Sequence, residues 1–157
     1  MADPAKPTVL VIGVGNALRG DDAAGAMAAQ LLRERHLPWL HAIEHGGEGI
    51  SLMETWTGAQ TVIVVDAISS DAAPGTISRF DVTQQPLQGS LFRDSTHAFG
   101  LQEAVELSRA LNRLPARLII WGIAGKSFAI GEPLSAEVQA AVREVVDNIL
   151  EELSGKA

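Results

Sequence analysis

Residues 8–25 read TVLVIGVGNALRGDDAAG, an apolar run followed by a glycine-rich turn and two aspartates. The run Thr8 to Ile12 has no charged member, as expected for a strand that is buried on both faces. A helix is predicted from about Asp22 to about Arg35, and Pro38 stops it. A buried strand, a tight turn and a helix form the repeating unit of a parallel sheet covered by helices.

The same alternation continues along the chain. Further strands are predicted at 40–44, at 60–65 with Asp66 ending the run, at 76–81 and at 117–121, where Gly122 closes the strand. Helices are predicted at 50–56, at 97–112 and after an N-cap at Ser135, and residues 82–95 are predicted as a loop. The pattern predicts an α/β fold: a three-layer α/β/α sandwich whose twisted, mostly parallel sheet has about five strands, with helices on both faces.

Composition narrows the class of protein. The 157 residues include 12 Lys and Arg against 19 Asp and Glu, which gives a net charge of −7, and no cysteine. We therefore expect one domain over residues 1–157, no nucleic-acid partner, no thiol chemistry and no thiolate metal site. The chain has no signal-peptide pattern and no apolar run of 18 residues, so we expect a cytoplasmic protein that does not insert into a membrane.

Polar residues that follow the predicted strands are candidates for a site, because ligands bind beyond the carboxyl ends of parallel strands. Asp21 and Asp22 follow the first strand, Asp66 ends the third, and His97 opens a helix. Each alone is also explained by helix capping or a loop hydrogen bond. Together, carboxylates and an imidazole are typical ligands of a labile divalent transition metal.

Two other chemistries are open to the same residues. The turn GVGN with Glu44 resembles a dinucleotide fingerprint. However, the third glycine position holds Leu18, and Asp21 with Asp22 would repel a phosphate at the helix start. A serine nucleophile is a weaker candidate, because no G-x-S-x-G elbow is present and Ser95 is equally suited to capping a helix.

The chain resembles the [NiFe]-hydrogenase maturation proteases across nearly its whole length. The motifs that carry the resemblance are G-x-GN-x-L-x-x-DD-x-x-G at 13–25, TVIVVDA at 61–67, the segment STHAFGL at 95–101 and WGIAGKSFAIGEPLSAEV at 121–138. This resemblance implies an endopeptidase that removes a C-terminal extension from the precursor of a hydrogenase large subunit after nickel insertion.

The family's metal-contacting and catalytic positions fall on Asp22, Asp66 and His97. The resemblance implies that these residues meet nickel carried by the precursor, which is the expected partner; the metal would act either as a Lewis acid or as a recognition anchor. One segment departs from the family's D-G-G-T, since residues 45–48 read HGGE, and His45 could supply a further donor. A non-catalytic nickel-binding chaperone and a nucleotide-binding module are the alternative functions.

Overall fold

The structure is a computed structural model that describes residues 9–83 and 100–154. Five strands are present, in chain order β1 Val9–Val14, β2 Leu40–His45, β3 Thr61–Ile68, β4 Ile77–Asp81 and β5 Arg117–Ala124. The helices are α1 Ala24–Arg33, α2 Gly49–Trp56, α3 Leu101–Ala110 and α4 Ala136–Leu153, with a short 3-10 helix at Gly20–Ala23.

The strands form one sheet in the order β2-β1-β3-β5-β4. All pairs are parallel except β4 with β5, so the antiparallel strand lies at the edge. Helices α1 and α4 cover one face of the sheet and α2 and α3 cover the other. The predicted three-layer α/β/α sandwich with a mostly parallel five-stranded sheet is confirmed.

Both central strands run further than the sequence predicted. The third strand was expected to end at Asp66, but β3 continues to Ile68. The fifth was expected to close at Gly122, but β5 continues to Ala124. The cause is their mutual pairing, because the register matches Asp66 with Gly122 and continues for two further apolar residue pairs. Asp66 is therefore inside a strand rather than at its end.

The helix boundaries also need correction. The first helix was expected from Asp22, but residues 20–23 form the 3-10 helix and α1 begins at Ala24. The predicted N-cap of the last helix is confirmed, since the Ser135 hydroxyl accepts a hydrogen bond from the Val138 N–H at 3.4 Å. The helix predicted at 97–112 is α3, and its first residues, like most of the loop predicted at 82–95, lie outside the described residues.

Within the part of the chain that is described, no helix is both long enough and apolar enough to cross a membrane.

Candidate active site

The strand order creates a crevice between β1 and β3. From β1 the chain crosses to β2 over one face of the sheet, and from β2 it returns to β3 over the other face. The segments that follow β1 and β3 therefore diverge, and a crevice at such a switch point is the usual ligand site in open α/β sheets. Asp22 follows β1 and Asp66 lies near the end of β3, so the fold brings these two predicted residues together.

Asp66 is the unusual side chain at this crevice. It is fully buried, and neither carboxylate oxygen accepts a hydrogen bond of ordinary geometry from the described residues. Burial raises the pKa of Asp66 well above its usual value, the charge of Asp22 raises it further, and the N–H of Ala67 counteracts only in part. A buried carboxylate without donors is costly, so the site favours either a proton or a cation at Asp66.

Asp22 is held by the segment of residues 15–23, which we call the β1 loop. Its side chain is buried, and its Oδ2 accepts a hydrogen bond from the Asn16 N–H at 2.9 Å. Gly15 makes this turn possible, because its φ is +136° and a Cβ there would lie 2.1 Å from the Asp22 carbonyl oxygen. Two of the family-motif residues, Gly15 and Asn16, thus position a third.

Asp21 lies at the same edge of the sheet as Asp22 and Asp66, as the sequence predicted, but its side chain turns away from this pair. Its carboxylate accepts hydrogen bonds from the N–H groups of Lys126, Ser127 and Ser135, at 2.7, 3.2 and 2.7 Å, and from the Ser135 hydroxyl at 3.0 Å. Burial alone would raise the pKa of Asp21, but these bonds outweigh it and lower the pKa. Asp21 therefore ties the β1 loop to residues 125–135, which we call the β5 loop.

His97 lies outside the described residues, so the complete predicted triad is not described. Residues 9–83 and 100–154 contain no group of three histidine or acidic side chains placed to hold a metal ion. The helix that begins at Leu101, four residues after His97, packs on the sheet face that also carries Val14 and Val64. Asp66 lies two residues after Val64 in β3 and thus points to that same face.

His45 is not free to act as a further donor in this arrangement. Its Nδ1 accepts a hydrogen bond from the Gly47 N–H at 2.9 Å, and its Nε2 lies 3.0 Å from the Ser51 hydroxyl. Both ring nitrogens are therefore occupied in shaping the turn between β2 and α2. His45 is a loop-organising residue in this structure.

The dinucleotide interpretation finds little support at the same edge. Glu44, which would have to bind a ribose, is paired with Arg33 at 2.8 Å. The start of the first helical segment is occupied by Asp21 and Asp22, both buried, where a phosphate would need to lie. Gly25 is the last glycine of the family motif at 13–25 and is required for packing, since a Cβ there would lie 2.4 Å from the Val14 carbonyl oxygen.

Comparison with known proteins gives the family. Residues 26–152 match the family model described as hydrogenase maturation protease, a range that includes Asp66 and His97 and begins four residues after Asp22. The chain belongs to the hydrogenase maturation protease family. It is accordingly a peptidase, and the predicted resemblance is confirmed.

Solved structures in this family share the fold. The [NiFe] hydrogenase maturation protease HybD from Thermococcus kodakarensis is 31% identical, with a TM-score of 0.72, over 92% of this chain and 97% of that one. The hydrogenase maturating endopeptidase HybD from Escherichia coli is 26% identical, with a TM-score of 0.77, over 94% and 93%. Among curated sequences, the hydrogenase 2 maturation protease of Escherichia coli is 27% identical over 90% of this chain and 88% of its own.

The role of Asp21 and its partners in the β5 loop was not predicted from the sequence. Asp21 and Ser135 are separated by 114 positions, and nothing local in either segment indicates that they meet. The only available signal was that both lie within motifs of the family resemblance. The structure shows that these two motifs are joined by one carboxylate.

Proposed function

We propose that this protein removes the C-terminal extension of a [NiFe]-hydrogenase large-subunit precursor after nickel has been inserted. Nickel is then part of the substrate, and Asp22, Asp66 and His97 are the residues that meet it. The precursor is the protein partner, and the cytoplasm is the compartment in which we place the reaction. Family membership supports peptidase activity, and the buried carboxylates support recognition of a cation.

The observation that carries the proposal is the burial of the Asp66 carboxylate with few hydrogen-bond donors around it. A fully buried carboxylate whose oxygens accept no hydrogen bond of ordinary geometry from residues 9–83 and 100–154 is an unfavourable arrangement in a folded protein unless something else compensates for it. The neighbouring Asp22 makes the arrangement worse, because like charges repel at close range. An arriving divalent cation would relieve both costs, and carboxylate oxygens are ligands that such cations accept.

Delivery of the metal by the substrate is consistent with a site that has no thiolate ligand. The chain has no cysteine, so no soft thiolate is available to retain nickel after the reaction. A site of two carboxylates and one imidazole holds such an ion less firmly than a site with thiolates. We infer that the protease contacts nickel only while the precursor is bound, so that nickel acts as a checkpoint for cleavage.

The test uses purified protein with nickel-loaded and nickel-free precursor, followed by mass spectrometry of the products. We expect loss of the C-terminal peptide mass from the loaded precursor alone. Asp22→Asn and His97→Ala should abolish cleavage while unfolding remains cooperative. Asp147→Asn, on the exposed surface of α4, is the matched control and should cleave normally.

Three outcomes would contradict the proposal. Equal cleavage of the nickel-free precursor would remove the checkpoint. Stoichiometric binding of the precursor without a change in its mass would favour a nickel-binding chaperone. Thermal stabilisation by NAD or ATP, without cleavage, would favour a nucleotide-binding module.

A further inference from the structure

Large apolar side chains that remain exposed are unevenly distributed over this molecule. Among the described residues there are four: Leu18, Ile50, Leu111 and Ile130. Three of them follow the carboxyl ends of strands and so lie at the edge of the sheet that carries Asp66. Leu111, at the end of α3, lies at the opposite edge. The two most exposed are Leu18 at 72% and Ile130 at 81%, in the β1 loop and the β5 loop respectively.

The fold brings these two residues next to each other. The N–H of Gly131 donates to the carbonyl of Leu18 at 2.8 Å, so the peptide that follows Ile130 lies against Leu18. A second backbone bond, from the Gly20 N–H to the Glu132 carbonyl at 3.1 Å, extends the contact. We call the pair Leu18 and Ile130 the apolar rim.

The apolar rim is fixed in place before any partner arrives. The Asp21 carboxylate accepts four hydrogen bonds from the β5 loop, and the backbone N–H of Asp21 donates to the Ser127 carbonyl at 2.8 Å. Two loops joined in this way lose little conformational entropy on binding, which favours recognition. The exposed side chains of Leu18 and Ile130 add little to the stability of the folded chain alone, since most of their apolar surface is in contact with water.

We propose that the apolar rim binds an apolar segment of the substrate protein beside the bond that is cut. This inference rests on the proposed function, because it assumes that the substrate is a protein and that it enters the site at Asp66. Leu18 precedes Asp22 by four residues in the same loop, so the apolar rim is continuous with the site that the substrate must enter. A second copy of this chain is a poorer occupant, because two aliphatic side chains bury on the order of 200 Å², whereas a stable interface needs about 1,000 Å².

The test is steady-state cleavage of the nickel-loaded precursor by a Leu18→Gln/Ile130→Gln variant. We expect KM to rise about tenfold or more while kcat stays within about twofold, because the contact is made equally in the ground state and the transition state. A Leu18→Met/Ile130→Val variant keeps the surface apolar and should retain the wild-type KM. Leu111→Gln is the matched control for exposure, and it should also leave KM unchanged. All three variants should unfold close to the wild-type denaturant midpoint, since each altered side chain is at least half exposed.

The outcomes separate this inference from the function on which it rests. If the wild-type protein fails to cleave the nickel-loaded precursor, the proposed function is wrong. If the wild type cleaves but the glutamine variant has an unchanged KM, or if Leu111→Gln raises KM equally, the apolar rim has no role in substrate binding. If the wild type is a dimer that the glutamine variant dissociates, with KM unaltered, the occupant is a second copy and the inference is overturned.

Discussion

Replacement of Asp66 by asparagine is expected to stabilise the metal-free protein while it destroys activity. The change keeps the shape of the side chain and removes its ability to ionise. Asp66 is fully buried and lies beside Asp22, and neither of its oxygens accepts a hydrogen bond of ordinary geometry from the described part of the chain. Its carboxylate form is therefore disfavoured in the folded state, and the Ala67 N–H offsets this only in part. The unfolded chain places no such constraint on the carboxyl group.

The size of the effect depends on pH in a defined direction. Burial, and then the charge of Asp22, raise the folded-state pKa of Asp66 above its usual value of 3.8. Below pH 3.8 the Asp66 carboxyl group is protonated in both the folded and the unfolded state. As the pH rises, the unfolded chain releases the proton first, so stability is lost until the pH exceeds the folded-state pKa. The loss reaches about 1.4 kcal/mol for each pH unit within this window.

The asparagine variant cannot titrate at this position, so it should not show this loss. The difference in free energy of unfolding, variant minus wild type, should therefore increase with pH at up to about 1.4 kcal/mol per unit. At low pH the difference should be near zero or slightly unfavourable, because a buried amide without partners costs about 1–3 kcal/mol, much as the protonated acid does.

The assay is urea unfolding of chelator-treated protein at half-unit intervals from pH 4 to pH 8. The buried side chains of Trp56 and Trp121 report unfolding by fluorescence. Asp147→Asn, whose side chain is exposed on α4, serves as the control, and its stability should run parallel to that of the wild type. A pH-independent difference for Asp66→Asn would refute the argument, because it would mean that Asp66 is partnered or hydrated in the native protein.

Two further variants test how the β1 loop is held. Asp21→Ala should lower the free energy of unfolding by about 3 kcal/mol or more at neutral pH, because it leaves buried donors without an acceptor. The pKa of Asp21 is lowered, so this difference should shrink as the pH falls below about 4, and urea titrations at pH 3 and pH 7 will check it. Gly15→Ala should abolish cleavage and cost stability, because the new Cβ displaces the Asp22 backbone. Gly58 also has a positive φ, of +90°, but no atom lies within 4 Å of a Cβ there, so Gly58→Ala should cost stability only. Paired cleavage and unfolding assays will measure this contrast.

The sequence predicted the architecture well because the α/β pattern is local. Strands β1 and β3 read as apolar runs, and the spacing of apolar residues in α4 gives its buried face. Strand ends were less well predicted, since the extension of β3 depends on its pairing with β5. Neither strand alone contains that information.

The candidate site was predicted only in part. Asp22 and Asp66 were expected to meet, and the fold brings them to one crevice, but their role as ligands is still a prediction. His97 lies outside the described residues. Asp21 could not be distinguished from Asp22 by sequence, because adjacent carboxylates at a helix start have the same local signals.

The 3-10 helix at residues 20–23 explains why these neighbours act differently. Successive side chains of a 3-10 helix are rotated by about 120°, since three residues complete a turn. Asp21 therefore points to the β5 loop, where it finds four donors, while Asp22 points back to Asn16 and the crevice beside Asp66. The Asp21 carboxylate is stabilised in its charged form by hydrogen bonds from the β5 loop, and it holds the two loops together. The Asp22 carboxylate raises the pKa of its buried neighbour Asp66. This unfavourable pair of carboxylates is the feature that the proposed nickel of the precursor would stabilise.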